Sequence, residues 1–190
     1  MKTLILCDRE SAHFDGLDVG AAIEAALRDA GGDTDLVVLN GDETHPCLGC
    51  FHCWVKTPGQ CKQTRDAANA VARKEVQSDA VVFVSRITYG GFSYDTKSFL
   101  DRSIQNLAPF FEIVDGTMRH SMRYQRIPAL ISVGYGDCAD AERETFVALA
   151  AHNARNWRTP RHAVFTARDA TEARRAAGLV ANTLAEEARP

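Results

Sequence analysis

Four cysteines crowd into one short stretch, Cys47-Leu48-Gly49-Cys50-Phe51-His52-Cys53-Trp54-Val55-Lys56-Thr57-Pro58-Gly59-Gln60-Cys61, spaced C-x2-C-x2-C-x7-C. Two-residue gaps let successive thiolates converge on one centre from a short, curling backbone, and Gly49, Pro58 and Gly59 supply turns for such a wrap. Iron–sulfur clusters are held by cysteine sets of this kind, whereas zinc sites more often split their cysteines into two separated pairs. The spacing therefore points to Cys47, Cys50, Cys53 and Cys61 as ligands of a [4Fe–4S] cluster. Disulfide pairs, a zinc site and reduced thiols on an ordinary loop compete with that reading. Cys7 and Cys138 read as small core residues, and His45 and His52 as surface histidines beside the run.

Composition narrows the classes. The chain has 190 residues, 45% of them hydrophobic and 25% charged, with a net charge of −3. That balance gives no case for a nucleic-acid or anionic-surface binder. The apolar run at the start is broken at once by Asp8-Arg9-Glu10, so it does not read as a signal peptide, and no run approaches a membrane span. The expectation is a cytoplasmic protein whose thiols stay reduced. No Ser-His-Asp or paired-carboxylate arrangement stands out, so no acid–base or nucleophilic residue is assigned.

The elements that must position the cysteines alternate in type. Strands are predicted at Thr3–Cys7, Thr34–Leu39, Ala80–Ser85, Ile127–Val133 and His162–Thr166. Helices are predicted over 19–30, stopped by Gly31-Gly32, and at Thr64–Val76, Asp95–Gln105, Ala139–Ala151 and Asp169–Ala188. Asn40 to Cys61 reads as a long irregular connection, and loops of that length are uncommon unless functional. Pro109 to Arg126 reads as an excursion before the fourth strand. Its basic group, Arg119, His120, Arg123 and Arg126, is taken as a solvated loop. Apolar strands without alternation imply helices on both faces and parallel strands with right-handed crossovers. The expected fold is α/β: one flavodoxin-like domain spanning 1–190, a doubly wound five-stranded parallel sheet of order 2-1-3-4-5, with the cysteine loop after strand 2.

Ligands of such sheets bind beyond the carboxyl ends of the strands, near the switch point between strands 1 and 3. After strand 3 comes Thr88-Tyr89-Gly90-Gly91-Phe92-Ser93, with glycines for close backbone approach and aromatics for stacking. After strand 4 comes Gly134-Tyr135-Gly136-Asp137.

These stretches, with the cysteine run, Lys97, Phe99-Leu100-Asp101-Arg102, Gly116, His120 and Arg123-Tyr124, resemble the flavodoxin-fold NAD(P)H-dependent FMN reductase superfamily. Within it the chain is most similar to the iron–sulfur flavoprotein branch, over roughly residues 1 to 165. The resemblance implies FMN, with Thr88, Tyr89, Gly90, Gly91 and Phe92 flanking its ring and Gly134 and Gly136 at the other edge. It implies hydride transfer from NAD(P)H, one-electron relay through the cluster to a small-molecule or protein acceptor, and a homodimer or tetramer. One stretch departs from the family. Its members hold the FMN phosphate in a Ser/Thr-rich loop after strand 1, but here residues 8–18 carry four acids against one arginine. Arg9, Ser11 and backbone amides bind the phosphate if the carboxylates turn outward. Two other readings keep the fold: a flavin reductase without a cluster, and a thiol sensor or partner-binding module without either cofactor.

Overall fold

In the computed structural model, residues 1–186 are described. In chain order the elements are β1 (Lys2–Asp8), α1 (Val19–Asp29), β2 (Asp33–Leu39), α2 (His52–Val55), α3 (Ala68–Gln77), β3 (Ala80–Thr88), β4 (Gly91–Phe92), α4 (Tyr94–Arg102), β5 (Leu107–Val114), β6 (Thr117–Met122), β7 (Ala129–Tyr135), α5 (Asp140–Asn156), β8 (His162–Ala167) and α6 (Ala170–Glu186). Residues 187 and 188, to which the last predicted helix was extended, lie outside the described residues.

Five strands form a parallel sheet, β2-β1-β3-β7-β8. Successive side chains of a strand point to opposite faces. Ile5 and Cys7 of β1, with Val82 and Val84 of β3, pack under Val19 and Ile23 of α1 and Ala177 and Val180 of α6. Leu4, Leu6, Val81 and Phe83 face the other way, onto Val71 of α3, Phe99 of α4 and Phe146 of α5. Both faces are covered, which is why these strands read as unbroken apolar runs. Each fully buried Leu, Ile or Phe contributes about 1.5–3 kcal/mol. The parallel direction brings the carboxyl ends of β1, β3 and β7 to one rim.

Three local readings change. Pro109 to Arg126 is largely an antiparallel hairpin, β5–β6, turning at Asp115 and Gly116. Both turn residues have positive φ, 50° and 73°, the geometry of a two-residue turn whose twist matches the strands. The helix expected from Thr64 begins at Ala68, and Asp66 takes the Ala68 N–H. The long connection after β2 contains one helical turn, α2, centred on Cys53 and Trp54.

Candidate functional site

At the rim, a cavity of about 570 Å³ lies between the loops after β1, β3 and β7, lined among others by Arg9, Glu10, His13, Arg86, Tyr135 and Gly136. Asp8, the last residue of β1, is 1% exposed and is bonded to two of the lining residues, Arg86 and Tyr135. The chain leaves β1 as a 3₁₀ turn, Arg9–His13, which Asp8 caps. Asp8 accepts the Ser11 N–H at 3.1 Å, the Arg86 N–H at 2.7 Å and the Tyr135 hydroxyl. Burial pushes the Asp8 carboxyl up, and the Tyr135 and Arg86 donors pull it part of the way back.

The other groups of this loop are engaged as well. Ser11 Oγ donates to the Asp8 carbonyl. The Arg9 guanidinium forks onto Asp95 at 2.9 and 3.0 Å and reaches Asp42 at 3.0 Å. Arg86 is paired with Glu10. α1 starts only at Val19, where Asp18 takes the Ala21 N–H. A phosphate brought here would meet carboxylates, each repelling it by on the order of 1–4 kcal/mol at surface-like dielectric.

The expected ring-binding loop divides between rim and core. Thr88 pairs with Gly91 and Ile87 with Phe92 in a tight β3–β4 return. Tyr89, at φ 50°, is thrown outward and is 93% exposed. Gly90 sits against α5, and a Cβ there would come within 2.8 Å of Thr145. Phe92 turns inward and packs edge-on to Phe83 and Phe146, with centroids 6.2 and 5.0 Å apart. Gly134 lies inside β7, where a Cβ would meet the Phe146 ring at 2.5 Å. Phe92 and Gly134 thus serve the packing between sheet and α5, while Tyr89 stands at the surface and Gly136, itself buried, lines the rim cavity.

The cysteine loop is built differently. Cys47, Cys50, Cys53 and Cys61 line one small cavity of about 40 Å³, roofed by Leu48, Phe51, Trp54 and Ile104. Gly49 and Phe51 turn the chain with φ of 59° and 53°. Cys53 is buried while Cys47 and Cys50 are exposed, and all six cysteines are free thiols. Burial raises the Cys53 thiol first, and the nearby Cys61, Cys47 and Cys50 raise it further. Trp54 stacks on Phe51 at 5.2 Å, tilts against His120 of β6 at 5.0 Å, and donates to the Ile104 carbonyl. The Gln105 side chain accepts the Cys61 N–H at 2.9 Å.

Arg102, at the end of α4, completes this wall. Its side chain is wholly buried and paired with Asp66 at 2.7 Å. Its terminal nitrogens also donate to the carbonyls of His45 and Gln63. Its Nε finds no acceptor. Among the described residues no three His, Cys, Asp or Glu side chains are already drawn in to clasp a metal ion. Four thiols lining one cavity beside one orphaned guanidinium N–H nonetheless have the chemistry of a thiolate-held cluster, whose sulfurs accept such a donor. FMN fits less well. The rim offers its ring an open edge, but the donors that would hold its phosphate are spent on the protein's own carboxylates.

The basic group on the hairpin is pinned internally. Arg123 bonds the carbonyls of Gln105 and Leu107, Arg119 that of Arg155, His120 that of Ala108, and Arg126 pairs with Asp79. Sequence reasoning missed Asp8, Arg86, Asp95, Tyr135 and Arg102 as site residues. A charged residue at the end of an apolar run was the available signal for Asp8 and Arg86.

An iron–sulfur flavoprotein of Methanocaldococcus jannaschii is 31% identical over 78 residues, 41% of this chain and 39% of that protein. One of Archaeoglobus fulgidus is 31% identical over 85 residues, 43% and 37% of the two chains. Over these stretches the chain is similar to iron–sulfur flavoproteins. It spans about two fifths of the length of these relatives. An NAD(P)H:quinone oxidoreductase from Methanothermobacter marburgensis superposes with a TM-score of 0.64 at 10% identity, covering 100% of this chain and 97% of that one. An FMN-dependent NADH-azoreductase from Bacillus anthracis, solved with FMN, gives 0.61 at 11% identity, covering 98% of each chain. No family model matches. The resemblance read from the cysteine run and the glycine-aromatic loop is borne out by these relatives, and the two structures share the fold.

Proposed function

We propose that this chain is an NAD(P)H-dependent flavin oxidoreductase that passes electrons through a [4Fe–4S] cluster to a small-molecule or protein acceptor. The observation that carries it is the cavity lined by all four thiols and by Arg102, whose Nε is unpaired. Cys47, Cys50, Cys53 and Cys61 hold the cluster, which when bound supplies one-electron transfer. Phe51 and Trp54 stack as one apolar wall beside it, and Gln105 fixes the backbone at Cys61. Arg102 offsets part of the negative charge of four thiolates, a task that needs the guanidinium held by Asp66. The acceptor is reached from the side of Cys47 and Cys50, the exposed pair.

The protein acts in the cytoplasm, as a homo-oligomer. Support for the second point comes from the hairpin, where Phe110, Phe111, Ile113 and Met118 are all exposed, and exposed apolar clusters mark protein–protein contacts. No described helix is long and apolar enough to cross a membrane.

Anaerobically purified and reconstituted protein is expected to carry close to four irons and four sulfides per chain, with a broad cluster absorbance. Cys53→Ala is expected to lose nearly all of it, and Cys138→Ala, outside the cavity, to keep it. Wild-type protein that stays iron-free after reconstitution removes the cluster.

A further inference from the structure

We infer that the crevice between the loops after β1, β3 and β7 takes its flavin without clasping a 5′-phosphate, so that riboflavin binds at least as well as FMN. The inference rests on the flavin reading above and concerns one end of that site. A phosphate is held by backbone N–H groups at a helix start and by unpaired cations. Both resources are already used here.

Asp8, Asp18 and Asp95 together accept five backbone N–H groups around the crevice: those of Ser11 and Arg86, of Ala21, and of Arg9 and Gly41. Both helical starts after β1 are therefore capped by carboxylates before any ligand arrives. The two arginines of the cavity are likewise engaged, Arg9 by Asp95 and Asp42 and Arg86 by Glu10. Asp15 and Asp137 add two more acids to the lining, leaving His13 as the remaining basic side chain there. A dianion seeking the N–H groups of Ser11 and Arg86 would have to take them from the buried Asp8. Their loss strands a carboxylate in the core. A ribityl hydroxyl asks for no such exchange, because it donates to a carboxylate and carries no charge.

The test is a fluorescence titration of the flavin-stripped full chain with riboflavin and with FMN, at pH 7.5 in low salt. The Kd for FMN is expected to equal or exceed that for riboflavin. Added salt, which screens the repulsion, is expected to narrow the gap. So is lowering the pH to about 5.5, where a phosphate monoester has given up most of its second charge. Glu10→Gln, which frees the Arg86 guanidinium, is expected to improve FMN severalfold more than riboflavin. FMN binding reproducibly tighter than riboflavin overturns the inference and leaves the flavin reading standing. Failure of both flavins to bind removes the flavin reading, and this inference with it.

Discussion

The loop after β1 and the loop after β2 solve opposite problems with similar materials. Around the first, carboxylates and donors saturate one another: Asp8 takes three donors, and Asp95 takes two backbone N–H groups and a bidentate arginine. Around the second, four thiols share a cavity and the guanidinium beside them keeps one donor unpaired. A self-satisfied polar network fixes the chain and has little left for a ligand. An unsatisfied one is costly until something fills it. The difference separates a loop whose polar groups hold the fold from a loop that awaits a ligand.

The sharpest way to break the comparison is at Asp66. Asp66 and Arg102 form an ion pair with side chains 1% and 0% exposed. Burial would push the Asp66 carboxyl up, but Arg102 and the N–H groups of His45 and Ala68 outweigh it and hold it below the usual range. A depressed acid contributes stability above its unfolded pKa and loses it as pH falls through the folded value. Asp66→Asn leaves a buried guanidinium without its counter-charge, which costs about 3–5 kcal/mol. Urea unfolding of the apoprotein at pH 7 measures it. The ion pair of the other loop, Arg9 with Asp95, has an arginine 44% exposed, and Arg9→Met is expected to move the urea midpoint much less than Asp66→Asn does. Equal costs would mean that the cysteine loop does not depend on a buried charge.

How much of this was legible depended on range. The β–α alternation showed because both faces of the sheet are covered, so Thr3–Cys7 and Ala80–Ser85 stand out as apolar runs. The hairpin was missed although Asp115-Gly116 between two apolar stretches is a strong short-range turn signal. The register of α3 was missed by giving its start to Thr64, when Asp66 caps Ala68. The cysteine cavity was legible because its ligands are close in sequence. The state of the β1 loop was not, since Asp8 owes its donors to Arg86 and to Tyr135, 127 residues away. Acidity announced a poor phosphate loop; only the fold tells which amides the acids had taken.

A smaller effect separates two buried carboxyls. Asp8 has three donors, whereas Glu75 of α3 is held by the Asn106 amide at 2.9 Å and keeps Oε1 without a partner. Burial, only partly countered by Ser103 and Asn106, pushes Glu75 up to about 8. A raised acid contributes stability that is present below the unfolded pKa and is lost as pH rises toward the folded value. Wild-type stability is therefore expected to fall between about pH 5 and pH 8 by on the order of 1 kcal/mol per pH unit, and Glu75→Gln to flatten that slope. Denaturant midpoints at pH 5, 6.5 and 8 decide it. An unchanged slope would assign the pH dependence elsewhere, Asp8 being the next buried acid to replace.

The smallest effect is at Glu10, and its smallness is useful. Glu10 and Arg86 are paired at the mouth of the rim cavity with side chains 57% and 53% exposed. Such pairs contribute about 0–1 kcal/mol, because water screens the attraction and two long side chains must be held still. Glu10→Gln is expected to move the thermal midpoint by no more than a few degrees, as a change of at most about 1 kcal/mol would in a domain of this size. A loss several times larger would mean that Glu10 supports the Asp8 cluster through Arg86, whose N–H and side chain join the two. The β1 loop would then be one cooperative unit out to its surface, and its acids could not be exchanged singly.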